Sequence, residues 1–345
     1  MQNKIIRLNA LLLIIMFGLS CKSENIVNDS TYIEPQHYNF AFMIQNTTNY
    51  EMYRLHSNSG QSITFAPDPT IKVGPYFGWR WLFLGYTFDI KRLIEKNKST
   101  EKQEYDLSLY SSKIGVDIYY RKFDGGYKIR NLKLRSDIDT SPLNGINFKG
   151  IKSKVTGINV YYIFNNKRFS YPAAFSQSTV QRISVGSPLL GFGYTQHELT
   201  IDWGKLYKLI DNKLGDAVSE INIDTTLPSG KVSYTDYSIS GGYAYNWVFA
   251  KDFLFASSLT IGLAYKKTVG DIVEIYNTVH HKHLNTMDID ATARLGIVWN
   301  NTKWYAGIST IMNTYNYHKG NFRTNNIFGN INIYAGLNFG KKKSK

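Results

Sequence analysis

The sequence predicts an all-β protein: an antiparallel, up-and-down transmembrane β-barrel of about twelve strands. Three observations predict it. From about residue 38 onward, apolar and polar residues alternate with period two, in runs broken by turn residues. Aromatic residues reach 15% of the 345-residue chain, with 26 Tyr, 19 Phe and 6 Trp, while Pro is scarce at 8. Beyond residue 20 there is no run of eighteen apolar residues, and the mean hydropathy is −0.29, so membrane-crossing helices are excluded for the mature chain.

The first twenty residues read as a signal peptide. Lys4 and Arg7 supply a basic start, residues 10–17 (ALLLIIMF) an apolar core, and Gly18 and Ser20 the small positions before Cys21. Cys21 is the chain's single cysteine, so no intramolecular disulfide and no cysteine-built metal site is possible. Its position suits a lipid anchor on the thiol, whereas Gly-Leu-Ser equally suits ordinary signal peptidase. Residues 21–37 then form an N-terminal linker, 38–340 the barrel domain, and 341–345 a basic tail. The net charge of +14 in an exported chain points to outer-membrane lipid and lipopolysaccharide as partners rather than nucleic acid.

Twelve strands are expected: 38–45, 50–56, 69–77, 82–91, 113–121, 153–164, 189–203, 237–249, 253–266, 288–299, 303–317 and 327–339. In 288–299, Ile289, Ala291, Ala293, Leu295, Ile297 and Trp299 share one face, opposite Asp290, Thr292 and Arg294. A soluble sandwich alternates in the same way with its apolar face inward. The barrel is favoured because opposite charges sit mid-strand on the polar faces, because strands reach the length a tilted membrane strand needs, and because aromatics cluster at strand ends. Connections also alternate. Residues 250–252 and 300–302 are tight, whereas 204–234, 267–287 and 318–326 are long, as in outer-membrane barrels.

The polar faces predict lumen-lining residues Asp89, Lys91, Lys113, Asp117, Arg121, Glu198, Asp202, Lys266, Asp288, Asp290 and Arg294. Charges of both signs either pair into a closed interior or line a narrow aqueous pore, and their near balance favours a packed lumen. The alternation breaks at 165–186, where a short turn is expected. This segment is either a large periplasmic turn or a plug folded into the barrel through Tyr171, Pro172, Phe175, Ser176 and Gln177.

Other constellations carry less. His280, His281 and His283 fall in an expected outer loop and read as a solvated tract rather than a metal site. Ser176 or Ser178 with His197 would be the pair for an outer-membrane lipid hydrolase or acyltransferase, but periodicity puts His197 on the face of Leu199, Ile201 and Trp203, toward lipid. No GxSxG string occurs. The chain is therefore expected to have no catalytic chemistry and no cofactor, and to serve a structural role or the passage of a small solute. The competing architecture is a surface lipoprotein with a soluble β-sandwich, held to the membrane through Cys21.

Several strings are longer and more specific than periodicity requires: Gly74-Pro75-Tyr76-Phe77-Gly78-Trp79-Arg80-Trp81, the run Phe169 to Ser178 (FSYPAAFSQS), the run Gly186 to Tyr194 (GSPLLGFGY), Ser240-Gly241-Gly242-Tyr243 with Asn246-Trp247-Val248-Phe249, and Asn313-Thr314-Tyr315-Asn316-Tyr317. In these the chain resembles the Bacteroidetes family called domain of unknown function 4421, over roughly residues 31 to 340. The resemblance implies a Gram-negative cell envelope and no particular activity, so no catalytic residue is carried over.

Overall fold

A computed structural model describes residues 28–57, 59–79, 82–85, 88–89, 101–215, 230–268, 287–319 and 322–342. The signal peptide, Cys21, Lys91 and the histidines 280, 281 and 283 lie outside the described residues.

In chain order the strands are β1 (Ile33–Pro35), β2 (Tyr38–Ser57), β3 (Ser62–Pro67), β4 (Thr70–Trp79), β5 (Leu82–Gly85), β6 (Phe88–Asp89), β7 (Glu101–Tyr110), β8 (Ile114–Asp124), β9 (Tyr127–Lys133) and β10 (Asn147–Phe148). After β11 (Ile151–Ile163) come the short helix α1 (Tyr171–Phe175), β12 (Thr179–Gln181), β13 (Val185–Ile201) and helix α2 (Trp203–Leu214). The chain finishes with β14 (Lys231–Ala250), β15 (Phe253–Thr268), β16 (Met287–Asn300), β17 (Trp304–Lys319) and β18 (Phe322–Lys341). No helix among the described residues is long and apolar enough to cross a membrane.

One antiparallel sheet runs β4-β2-β18-β17-β16-β15-β14-β13-β11-β8-β7. β2 forks: its first half pairs with β4 and its far end with β3, which continues to β9 and β10. β5 and β6 pair with the outer side of β4, and the sheet curls until β4 and β7 approach each other through side chains. Lys72 Nζ on β4 donates to the Glu104 carbonyl on β7 at 3.2 Å, and the Lys102 ammonium on β7 donates to the Thr70 hydroxyl on β4. The result is a large, near-barrel sheet.

Local chemistry sets the turns. Between β16 and β17, Thr302 adopts φ +74°, held because the Asn300 and Asn301 side chains accept from Thr302 N and Trp304 N at 2.9 and 2.8 Å. Both helices are capped. Ser170 accepts from Ala173 N at the start of α1, with Pro172 in the first turn, and Asp202 accepts from Lys205 N at the start of α2. Gly215 closes α2 at φ +55°.

The outer face of the curl is apolar and exposed. Ile239, Leu259, Ile261, Leu263, Ile289, Leu295, Ile297 and Ile333 all point outward. Aromatics stand at the ends of this band, with Phe40, Phe339, Trp247, Phe249 and Phe253 in ring contact at one end and Tyr194 against Tyr237 at the other. Inside, three layers follow one another. Near the chain termini, α1 packs Ala173 and Ala174 against Met43, Leu254, Ala256 and Val298. Charged and phenolic side chains fill the middle. At the far end Tyr53, Leu55, Phe65, Leu199, Ile201, Val232 and the α2 residues Leu206 and Ile210 form an apolar core.

Four expectations are corrected here. The strands expected at 38–45 and 50–56 are one strand, β2, because Asn46 to Asn49 continue the ladder with both β4 and β18. None of the twelve expected strands covers 101–110, yet β7 forms there and pairs along its length with β8. The long loop expected at 318–326 is a hairpin in which Lys319 pairs with Phe322. Finally, the face assigned to 195–203 is inverted. His197, Leu199 and Ile201 are buried inside, and Glu198 points outward. The reason is that β13 outruns the apolar band. Beyond it the interior is the greasy side, and the same alternation changes meaning.

Candidate functional site: the charged interior

Inward side chains of eleven strands meet in the middle layer. On β16, Arg294 is 2% exposed; its guanidinium bridges Asp117 of β8 and lies over the Tyr161 ring of β11, 4.7 Å from the centroid. Asp117 also accepts from Ser108 Oγ of β7 at 2.6 Å. Lys266 on β15, 1% exposed, donates to Asp236 of β14 at 2.7 Å and to Asp290 of β16 at 2.9 Å. Arg121 on β8, also 1% exposed, donates to Asp106 at 3.1 Å and to the carbonyls of Tyr50 and Gly329 at 3.1 and 3.2 Å, with its guanidinium over Phe328. Glu51 accepts from Tyr127 at 3.2 Å and Ser153 at 3.4 Å.

Each cation thus has an anion from a different strand: the Lys266 and Arg121 pairs join neighbouring strands, while Arg294–Asp117 and the bond from Arg121 to the Gly329 carbonyl tie the wall across its interior. Leaving any of these charges unpaired in such surroundings costs several kcal/mol, on the order of 3–5. Tyrosines complete the fill. Tyr119 bonds Thr195 at 2.7 Å and reaches the Tyr315 hydroxyl, while Tyr234 stacks on Tyr317 with centroids 4.4 Å apart. A cavity of about 40 Å³ remains beside Asn159, Ser240, Thr260, Asp290, Arg294 and Tyr315. That is room for a few water molecules.

At the end nearest the termini, the segment between β11 and β13 enters the curl. Tyr171 and Pro172 are buried, Phe175 and Ser176 partly buried, and Gln177, at φ +54°, donates to Tyr334 at 2.8 Å. The N-terminal β1 holds this segment by pairing with β12. Arg182 fastens the arrangement, bridging Glu34 of β1 and Asp252 in the β14–β15 turn.

Of the residues expected on the interior, Asp117, Arg121, Lys266, Asp290 and Arg294 are buried there. Asp288 shares their face at half burial, and its carboxylate accepts from His318 N at 3.3 Å. Asp89 pairs opposite the inward Lys72, and Lys113 stands at the strand end just before β8. Two expectations are corrected. Glu198 faces outward and pairs with Lys154 at 2.9 Å, and Asp202 is the exposed cap of α2. Neither contributes to the interior, because both lie where the strand has passed the apolar band. Sequence reasoning missed Glu51, Glu104, Asp106 and Asp236. Asp236 was one position short of the expected strand start at 237, and an earlier start would have found it beside Lys266.

The chain matches, over residues 27–339, the family described as domain of unknown function (DUF4421). It belongs to that family. No curated protein matches it. Among solved structures, the outer membrane protease OmpT from Escherichia coli is 8% identical, covering 87% of this chain and 97% of that one, at a TM-score of 0.37. A bacterial polysaccharide outer membrane secretin is 8% identical, covering 88% and 99%, at 0.30. The toluene transporter TodX of P. putida is 8% identical, covering 88% and 91%, at 0.22. Overlaps this low assign no function.

The chemistry of this DUF4421 interior is that of cross-bracing. Ser176 bonds the Pro172 carbonyl and Ser178, and neither serine hydrogen-bonds His197, which stacks between Tyr234 and Tyr315 with both ring nitrogens unpaired. Among the described residues no group of three or more His, Cys, Asp or Glu side chains is arranged to hold a metal ion.

Proposed function

We propose that this protein is a twelve-stranded outer-membrane β-barrel whose lumen is filled, serving a structural role in the envelope without catalytic chemistry. The twelve staves would be β2, β4, the interrupted β5–β6, β7, β8, β11 and β13 to β18. The observation that carries the reading is the inversion of ordinary burial: three of the largest fully buried side chains are Arg121, Arg294 and Lys266, while leucines and isoleucines cover the outside. A lipid solvent makes that arrangement favourable, which supports the reading. The band height supports it. From Tyr237 to Phe249 along β14 is about 40 Å of strand, or about 28 Å of height at a tilt near 45°, close to the apolar band of known barrels. Strands of twenty residues, such as β2, β14 and β18, are about twice what the bilayer requires, so their far halves stand in water.

Two closures support a filled lumen: the apolar core under α2 at one end and the α1 segment at the other. Passage of a small solute would require the α1 segment to leave. Its attachment through β1 and the Arg182 ion pairs is reversible, which keeps passage as a second reading.

The test is electrophoresis of the detergent-extracted protein with and without boiling, followed by planar-bilayer recording. A filled barrel shifts in apparent mass on boiling and gives no steady conductance. A shift accompanied by steady conductance steps rejects the filled lumen. No shift, with release by alkali, rejects the barrel.

A further inference from the structure

A second charged feature lies on the outer face, beyond the apolar band. On one side of the curl the outward cations are neutralised by outward acids: Lys152 pairs with Asp124 at 2.8 Å and Lys154 with Glu198 at 2.9 Å. On the other side, across β2, β18 and β17, they are not. Arg54 and Arg323 are exposed, and the described ion pairs include neither. The register sets His56 directly opposite Arg323 on one flank and His318 directly opposite it on the other, with Arg54 one diagonal away, opposite Asn325. Both guanidinium groups act electrostatically on the His56 ring. The neighbours Met52, Asn316 and Asn325, and Ser62 and Thr64 of β3 opposite His56 and Arg54, carry no charge. His318 alone has an acid beside it: its backbone N–H donates to Asp288 of β16 at 3.3 Å, and that carboxylate, on the inward side of β16, also attracts the His318 ring.

Like charges held on adjacent strands repel, so this grouping is stabilised by an anion from outside the chain. Its height says which anion. Arg54 lies twelve residues along β2 from Phe42, which is exposed at the terminal end of the band. Twelve residues are about 40 Å of strand, or about 28 Å of height at the same tilt, roughly the thickness of the hydrocarbon core. The guanidinium groups therefore stand at headgroup level, and their planar forks suit phosphate oxygens.

We propose that Arg54, His56, His318 and Arg323 form a site on the outer wall for the phosphate groups of a lipid in the outer leaflet. The proposal rests on the barrel reading above.

The test uses the full chain purified in a zwitterionic detergent. Binding of phosphorylated lipid A, of the same lipid A after enzymatic dephosphorylation, and of inorganic phosphate is followed by native mass spectrometry. The wild type is compared with Arg54→Gln/Arg323→Gln and with Lys152→Gln/Lys154→Gln. The expected result is that the wild type prefers phosphorylated lipid A by about tenfold, as loss of charge-assisted bonds implies. The arginine variant loses that preference and the lysine variant keeps it. Equal binding of both lipids, equal loss in the lysine variant, or inorganic phosphate binding as tightly as the lipid would each overturn the site. The boiling shift is recorded on every sample. Its absence in the wild type would reject the barrel itself, whereas a normal shift without lipid preference rejects only this site.

Discussion

Replacing Arg294 by Met removes the cation from a pair that the fold buries almost completely. Asp117 then remains inside with its charge, keeping the Ser108 hydroxyl at 2.6 Å as its hydrogen-bond donor. Breaking a buried pair from one side costs about 3–5 kcal/mol, and the surviving Ser108 bond puts this case near the lower figure, about 3 kcal/mol. Asp117→Asn should cost at least as much. It strands a guanidinium that cannot shed its proton and whose Nε already lacks a partner. The double variant, Asp117→Asn with Arg294→Met, should return to within about 1 kcal/mol of the wild type, since neither charge remains to be solvated. The assay is urea unfolding in lipid vesicles followed by tryptophan fluorescence, with the double-mutant cycle supplying the coupling. If Arg294→Met costs less than about 1 kcal/mol, water already solvates Asp117. The interior would then be an aqueous channel, and the filled-lumen reasoning would fail with it.

Three further outcomes are expected. Replacing residues 171–175 with a Gly-Ser linker should leave the barrel silent with its boiling shift retained, because the charged layer and the α2 core still fill the lumen; steady conductance steps would show that the α1 segment alone seals it. Ile261→Arg, outward in the band, should destabilise the vesicle-inserted protein by about 2–4 kcal/mol, whereas Gln196→Arg, outward above the band, should change it by less than about 0.5 kcal/mol. At Glu34, burial raises the carboxyl, but hydrogen bonds from His37 and Arg182 outweigh it and hold the group below the usual carboxylate range. A depressed carboxylate stabilises fully above its unfolded value, about 4.3, and that contribution disappears as pH falls through the folded value. The melting midpoint of Glu34→Gln should accordingly lie below the wild type at pH 6 and converge with it near pH 3; a gap independent of pH would show that the Glu34 charge is irrelevant.

The strands that stay within the apolar band were legible in the sequence. β15 and β16 carry Leu259, Ile261, Leu263 and Ile289 outward, with Ser258, Thr260, Lys266, Asp290 and Arg294 inward, as their alternation indicates. In the proposed barrel, lipid there gives each residue type one meaning. The errors share a cause: the solvent changes along the strand and the alternation does not. On β13, Leu190 and Phe192 face out toward the band, yet Leu199 and Ile201, an odd number of positions on, face in toward the apolar core. The apolar residues have changed parity, and the switch falls at Gly193 to Thr195, where neither face is decidedly greasy. Reading His197 by the rule of the band turned it toward lipid and sent Glu198 and Asp202 to the lumen. β2 shows the same switch, with Phe42 and Ile44 outward and then Tyr53 and Leu55 inward, across a polar stretch that read as a gap between two strands. A parity switch inside an unbroken ladder is thus the mark of a strand that leaves the membrane without ending.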